Sequence, residues 1–276
     1  MARRVCVALA AGTFVASSLA AGQTAGAPLQ PAKPWNLDYG DTQCVAAREY
    51  GRADDSITLL LRPAPNGETY EWLVGRRQAG PALALERQGS VDFGGGPISA
   101  WTLQYGDKKT VVDQFRISKA AMEAARTASH VILRIRGGAD ASFALSNMPK
   151  LLDGLQKCTA DLMNYWNEGA EKAGKISQRA EGQVRRIFSS DDFPQEAMAR
   201  SQEGSSTFLL LIDEQGKVAG CHVVQTSGIP VFDARGCQVI REHAKFKPAL
   251  DAKGKPVRSM YETPQVIWRL GNSNTR

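Results

Sequence analysis

The sequence has few of the residues on which catalytic and metal sites usually depend. Only three histidines occur among 276 residues, His130, His222 and His243, and no two cysteines form a C-x-x-C pair. A zinc site is therefore not expected. None of the histidines stands at a spacing that would join a nucleophile to a base and an orienting group. We predict that the chain is not an enzyme and that it binds no metal and no cofactor.

Two further absences narrow the choice of ligand. The glycine-rich stretch 92–97 is not followed by Gly-Lys-Ser/Thr or by a helix pattern, so it does not predict a phosphate-binding loop. The formal net charge is +6, but lysines and arginines are scattered among acidic residues and form no stripe interleaved with aromatic residues. Nucleic-acid binding is accordingly not expected.

The sequence also lacks an apolar run of the length typical of a membrane span, but its N-terminus carries a shorter one. Arg3 and Arg4 precede the apolar run 5–16 and the small residues 17–21, which is the order of a secretory signal. A spanning helix needs about 20 mostly apolar residues. We expect residues 1–22 to be a cleaved signal peptide. The alternative is an uncleaved inner-membrane anchor with the rest of the chain facing the periplasm, and only then is membrane contact expected.

The composition and length of the chain are typical of a folded, exported protein. Hydrophobic residues make up 43% of the chain and charged residues 22%, enough to bury substantial cores. By length alone the chain holds about two domains. After a disordered segment at 23–34, we predict a first domain at 35–166, a charged and solvated linker at 167–190, and a second domain at 191–271.

The first domain is predicted to be α+β, rich in strands and closed by a helix. Asn66-Gly67 is a strong turn dipeptide between two strand-like runs and predicts a hairpin. From Ser146 to Trp166, apolar residues recur at three- and four-residue spacing, which predicts a helix with Cys158 on its buried stripe. The sequence does not indicate what this domain binds.

The second domain is predicted to alternate short helices and strands. A helix begins near Pro194, and two strands flank the turn at Asp213–Lys217. A second helix starts at Pro230, and a last strand runs from Met260 to Leu270. Within the first of these strands, the run Thr207–Ile212 is almost continuously apolar.

The cysteines favour two disulfides. Without Cys6 in the predicted signal, four of the five cysteines remain, an even number that indicates bridges in an oxidising compartment. Three pairings are possible. Cys44 lies near the first strand and Cys158 on the closing helix, while Cys221 and Cys237 both face the second domain's helix–sheet interface. We predict Cys44–Cys158 and Cys221–Cys237; a mixed pairing of Cys44 with Cys221 would contradict two separate domains.

Several motifs in the second domain resemble the C-terminal domain of TonB-family proteins. In family order they are Phe193-Pro194-Gln195-Glu196-Ala197, in the place of the family's Tyr-Pro-x-x-Ala, then Glu203-Gly204, Asp213-Glu214-Gln215-Gly216-Lys217-Val218, Ser227-Gly228-Ile229-Pro230-Val231-Phe232-Asp233 and Phe246-Lys247-Pro248-Ala249. The resemblance implies a small α-β-β-α-β domain with a three-stranded antiparallel sheet. It also implies a periplasmic coupling or adaptor role.

The resemblance further implies a partner and a way of binding it. Family members add a short extended segment of outer-membrane receptors, the TonB box, to the edge of their last strand, so an outer-membrane receptor or another envelope protein is the expected partner. The candidate binding residues are Phe193, Pro194, Met260, Tyr261, Thr263, Gln265 and Ile267. Pro264 suits an edge strand. Two alternatives stay open: the edge could be guarded against pairing, and Phe193-Pro194 could simply start the helix.

The chain departs from the family's energy transducers. Those have an uncleaved membrane helix carrying a histidine and a long proline-rich spacer. Here no histidine precedes His130, and only Pro28, Pro31 and Pro34 gather near the start. We therefore expect a periplasmic TonB-like binding or adaptor protein that engages its partner by β-augmentation. The alternative is a membrane-anchored TonB-type energy transducer for outer-membrane receptor transport.

Overall fold

A computed structural model describes residues 27–52, 55–81, 85–106, 108–138, 140–168 and 174–270. The predicted signal peptide lies outside the described residues. The fold class is confirmed: a large β-rich N-terminal region is followed by a C-terminal region with small antiparallel sheets and a helix. In the described part of the chain, no helix has both the length and the hydropathy required to span a membrane.

The N-terminal region is one nine-stranded antiparallel sheet in the spatial order β1-β2-β3-β4-β7-β6-β5-β8-β9. Its strands are β1 (Asn36–Tyr39), β2 (Cys44–Tyr50), β3 (Ile57–Pro63), β4 (Thr69–Arg76), β5 (Leu85–Asp92), β6 (Pro97–Gly106), β7 (Val111–Ser118), β8 (His130–Ile135) and β9 (Ala141–Ala144). Because side chains alternate along a strand, Leu59 and Leu61 point into the core while Arg62 lies on the other face. The hairpin predicted at Asn66-Gly67 joins β3 to β4.

Helices cover the inner face of this sheet. Ser118 caps α1 (Lys119–Met122), its Oγ accepting a hydrogen bond from the Ala121 amide at 3.2 Å, and a 3-10 turn follows at Glu123–Arg126. The long helix predicted from its apolar spacing is confirmed as α2 (Met148–Tyr165). The disulfide Cys44–Cys158 joins β2 to α2 with its Cα atoms 6.1 Å apart, as predicted.

The segment before β1 is paired rather than disordered. The Leu29 amide donates to the Ser142 carbonyl at 2.8 Å, on β9, and the Ala32 amide donates to the Glu49 carbonyl at 2.8 Å, on β2. The prediction of disorder over 23–34 is wrong for this stretch, because its backbone groups bridge two strands near opposite ends of the sheet. Residues 23–26 lie outside the described residues.

The C-terminal region contains β10 (Ile176–Gln178), β11 (Glu181–Gly182), α3 (Gln195–Ala199), β12 (Gly204–Ile212), β13 (Val218–Gln225), α4 (Pro230–His243), β14 (Phe246–Lys247), β15 (Ala249–Asp251), β16 (Pro256–Val257), β17 (Ser259–Glu262) and β18 (Val266–Trp268), with 3-10 turns at Val184–Ile187 and Ser190–Asp192. β12 is central: β13 pairs with one side, and β17 and β18 share the other. The three strand positions are those predicted, but the last strand is interrupted at residues 263–265.

The predicted linker is in part a folded element. β10 pairs with β15 and β11 pairs with β14, both antiparallel. Ile176, Ala180 and Val184 are buried in the same core as α4 and β12. The prediction of a solvated linker at 167–190 is therefore wrong for 176–187, because these few apolar residues complete the C-terminal core. The domain boundaries themselves stay predictions.

Strand β12 is buried on both faces, which brings the two halves of the molecule together. Phe208, Leu210 and Ile212 pack into the C-terminal core. Leu211 packs instead into the N-terminal core, and the partly buried Met260 packs beside that core. The almost continuous apolar character of this strand is explained, since one face meets α4 and the other meets the N-terminal region.

Candidate partner-binding edge and interdomain cleft

The strands β17 and β18 form one edge of the C-terminal sheet. Both pair with β12, and no strand among the described residues pairs with their other side. An edge of this kind presents unpaired backbone N–H and C=O groups. The edge therefore lies where the sequence places it, while its role in binding stays a prediction.

The predicted binding residues on this edge differ in how far they reach solvent. Ile267 is the most open, with 51% of its surface exposed. Gln265 is also exposed, and its Nε2 donates to Ser205 Oγ at 2.8 Å. Pro264 lies in the interruption between β17 and β18, where the ladder needs no donor. The side chain of Ile267 is thus the best placed to meet an added strand.

The other predicted edge residues hold the strand in place. Thr263 is buried, and it pairs with Phe208 twice: its amide donates to the Phe208 carbonyl at 2.9 Å, and its Oγ1 accepts from the Phe208 amide at 3.1 Å. Tyr261 packs against Phe246 with ring centroids 4.9 Å apart. Together with Met260, which packs beside the N-terminal core, these side chains fix the edge against the rest of the molecule.

Phe193 and Pro194 lie close to this edge, but the aromatic ring faces inward. Phe193 is half-buried and packs edge-to-face on Phe232 and on Trp268 of β18, with centroids 5.2 and 6.0 Å apart. Trp268 in turn stacks on Phe232 at 5.0 Å. Pro194 directly precedes α3. Phe193 and Pro194 therefore connect the start of α3 to β18, which favours the alternative in which these two residues simply begin the helix.

A groove with a volume of about 710 Å³ opens beside Tyr261. Three basic side chains line it, Arg186, Lys245 and Lys247, and its one carboxylate, Glu181, lies 3.4 Å from Lys247. This groove was not predicted from the sequence, because one of its walls is formed by the stretch that was predicted to be a linker.

The second disulfide, Cys221–Cys237, ties β13 to α4 with Cα atoms 5.7 Å apart and confirms the predicted pairing. A short helix, a hairpin, a longer helix and a broken last strand thus follow one another from Gln195 onward. Residues 190–270 match the family model described as Gram-negative bacterial TonB protein C-terminal. The C-terminal segment is TonB-like.

The match confirms the resemblance over this segment, which we call the TonB-like domain (residues 190–270). No curated protein matches the chain. The N-terminal sheet lies outside the matched segment, so its role has to be argued from its own residues.

A cleft of about 550 Å³ lies between the N-terminal sheet and the TonB-like domain. One wall contains a row of four residues that face one another across adjacent strands. These residues are Arg62 on β3, Glu71 on β4, Arg116 on β7 and Trp101 on β6. The opposite wall is formed by β13 and α4 and includes His222 and Arg241. No residue of this cleft was predicted from the sequence to bind a ligand.

Glu71 joins the two arginines of the row. Arg62 Nε donates to one carboxylate oxygen at 2.7 Å, and Arg116 donates to the other from Nε at 2.9 Å and from Nη2 at 2.7 Å. The Arg116 guanidinium also lies 4.7 Å from the centroid of the Trp101 ring. Burial alone would raise the pKa of Glu71, but Arg116 and Arg62 outweigh it and lower that pKa below its ordinary value. The carboxylate is therefore charged at neutral pH.

His222 is the titratable group on the opposite wall. Its Nε2 is buried and has no hydrogen-bond partner among the described residues. Burial, and then the charge of Arg62, lower the pKa of His222 to about 4, and the contribution of Glu71 in the other direction is smaller. The imidazole is therefore neutral at physiological pH, and one of its nitrogens is unsatisfied in the wall of the cleft.

Proposed function

We propose that the chain is a periplasmic TonB-like adaptor whose edge, β17 and β18, takes up an extended segment of an envelope partner by β-augmentation. The observation that carries this proposal is the open edge itself, with Ile267 exposed on β18. The proposed partner is the periplasm-facing segment of an outer-membrane receptor, as the family resemblance implies. No chemical reaction is assigned to the chain.

Two features support this way of binding. Backbone hydrogen bonds along an added strand supply affinity without requiring a particular sequence, and side-chain pockets supply the selectivity. The basic groove beside Tyr261 is such a pocket, because it adjoins β17 and carries more positive than negative charge. The aromatic residues Phe193 and Phe232, which pack against Trp268 of β18, keep the edge rigid, and this lowers the entropic cost of binding.

We expect Ile267→Lys to weaken the binding of receptor-derived peptides by about tenfold, because the substitution removes an apolar contact and places a charge on β18, the strand beside the bound peptide. The measurement is an NMR titration of the full exported chain with synthetic peptides covering the periplasm-facing N-terminal segments of TonB-dependent receptors. Met198→Lys is the matched control, since Met198 is 50% exposed on α3 and Ile267 is 51% exposed. The control should bind as the wild type does.

The same titration locates the peptide. Backbone amide shifts should concentrate at β17, β18 and the groove lined by Arg186 and Lys245. Peptide binding with no shift between Ser259 and Trp268, or equal affinity for the wild type and Ile267→Lys, would overturn augmentation at this edge. Thermal unfolding of both variants shows whether a loss of binding reflects a loss of fold.

The alternative, a membrane-anchored energy transducer, makes a different prediction about the mature chain. An adaptor released by signal cleavage is expected to have a mature N-terminus near Ala21 or Gln23 and to be recovered from the periplasm. Mass measurement of the protein isolated from its native envelope tests this. An intact N-terminal segment in the membrane fraction would favour the transducer.

A further inference from the structure

The interdomain cleft carries more positive than negative charge. Its lining includes three arginines, Arg62, Arg116 and Arg241, and two carboxylates, Glu71 and Asp233. Both carboxylates already have partners inside the protein. Glu71 is held by the first two arginines, and Asp233 accepts hydrogen bonds from a neighbouring backbone amide and two hydroxyl groups. An anion entering the cleft would therefore meet unneutralised guanidinium charge.

The arginines also keep donors free. Arg62 reaches Glu71 through Nε, and its two Nη groups make no hydrogen bond to any described residue. Arg116 uses Nε and Nη2, and its Nη1 likewise has no partner within the described ranges. Salt bridges to Glu71 hold both guanidinium groups in fixed positions. Planar, pre-positioned N–H groups of this kind match the two oxygens of a carboxylate.

The rest of the cleft is suited to an apolar body. Trp101, Leu103 and Tyr105 are alternate residues of β6, so their side chains lie on the same face of the sheet. The Cys221–Cys237 disulfide and Pro230 line the facing wall. Between these walls, the unpaired Nε2 of the neutral His222 offers a hydrogen-bonding position, and so does the unpaired Nε1 of Trp101. A few polar groups in a mainly apolar concavity are typical of a small-molecule site.

We propose that this cleft binds a small carboxylate with an aromatic or otherwise apolar body. The carboxylate contacts the free N–H groups of Arg62 and Arg116, and the body lies against Trp101 and Leu103. Because both halves of the molecule form the walls, the ligand also stabilises their contact. The proposal is independent of the edge strand and of any protein partner.

The test is an NMR titration of the full exported chain with phenylacetate, 4-phenylbutyrate and indole-3-acetate, each compared with its neutral amide. We expect saturable shifts of the Trp101 indole N–H and the Arg62 Nε–H, and affinity for each acid about tenfold or more above that for its amide. Arg62→Gln should lose about tenfold in affinity for the acids. Arg134→Gln is the matched control, because Arg134 has the same 34% exposure and also forms salt bridges to carboxylates, those of Asp92 and Asp140, but lies outside the cleft.

A second variant separates ligand binding from folding. Leu103→Trp fills the apolar half of the cleft without changing its charge and should abolish the shifts while thermal unfolding stays close to wild type. Equal affinity for acids and amides, no saturable binding of any of the three acids, or tighter binding of inorganic phosphate than of these acids would each overturn the proposal. None of these outcomes bears on peptide binding at β18.

Discussion

We expect the double variant Cys44→Ala/Cys158→Ala to lose about 4 to 5 kcal/mol of unfolding free energy. The bridge closes a loop between residues 114 positions apart, so its removal greatly enlarges the conformational freedom of the unfolded chain. Both cysteines are buried in the N-terminal core, where alanine adds no clash. The measurement is equilibrium urea unfolding under non-reducing conditions, followed by circular dichroism.

The second bridge provides the comparison. Cys221 and Cys237 are only 16 positions apart, so Cys221→Ala/Cys237→Ala should lose about 3 kcal/mol, less than the first variant. A reversed order would contradict the explanation from loop length. It would point instead to the packing of β13 on α4, which the second bridge holds directly, as the larger contribution.

Those features of the fold that depend on local spacing could be predicted from the sequence. The apolar stripe that defines α2 also carries Cys158, so the helix and its disulfide follow from one pattern. The turn at Asn66-Gly67 even sets Arg62 opposite Glu71, which is the register found. In the C-terminal segment, each short element alone gives only a weak signal. The domain could still be predicted there because several motifs occur in the family's order.

The cleft could not be predicted, because its row of side chains depends on non-local strand order. β4 pairs with β7 and not with β5, the next strand along the chain. Arg116 and Trp101 therefore come close to Glu71 only once strands that are distant in the sequence have paired. The folded part of the predicted linker was missed for a related reason. Ile176, Ala180 and Val184 are spaced too sparsely to indicate an element, and their partners lie beyond α4. One signal was available: the almost continuous apolar run of β12 indicates burial on both faces.

Acidification is expected to destabilise the wild type by roughly 3 kcal/mol more than His222→Gln, because each unit of pKa difference is worth about 1.4 kcal/mol. The pKa of His222 is about 4 in the folded state, where burial and the charge of Arg62 disfavour the imidazolium, against an ordinary value of 6.5. As the pH falls below that ordinary value, the unfolded chain binds a proton that the folded chain does not. Stability contributed by the neutral imidazole is therefore complete above pH 6.5 and is lost as the pH approaches 4.

The measurement compares urea unfolding of the two proteins at about pH 7.5 and about pH 4.5. Glu71, Asp92 and Asp192 have lowered pKa values and add their own loss at the acid end, but they do so in both proteins and cancel in the difference. His243→Gln is the control for loss of a histidine as such, because its side chain is 57% exposed at the end of α4. A wild type and His222→Gln that lose stability in parallel would mean that His222 is solvated in the folded protein. The cleft walls would then lie further apart than a buried Nε2 requires, and the small-molecule site would lose the hydrogen-bonding position at His222.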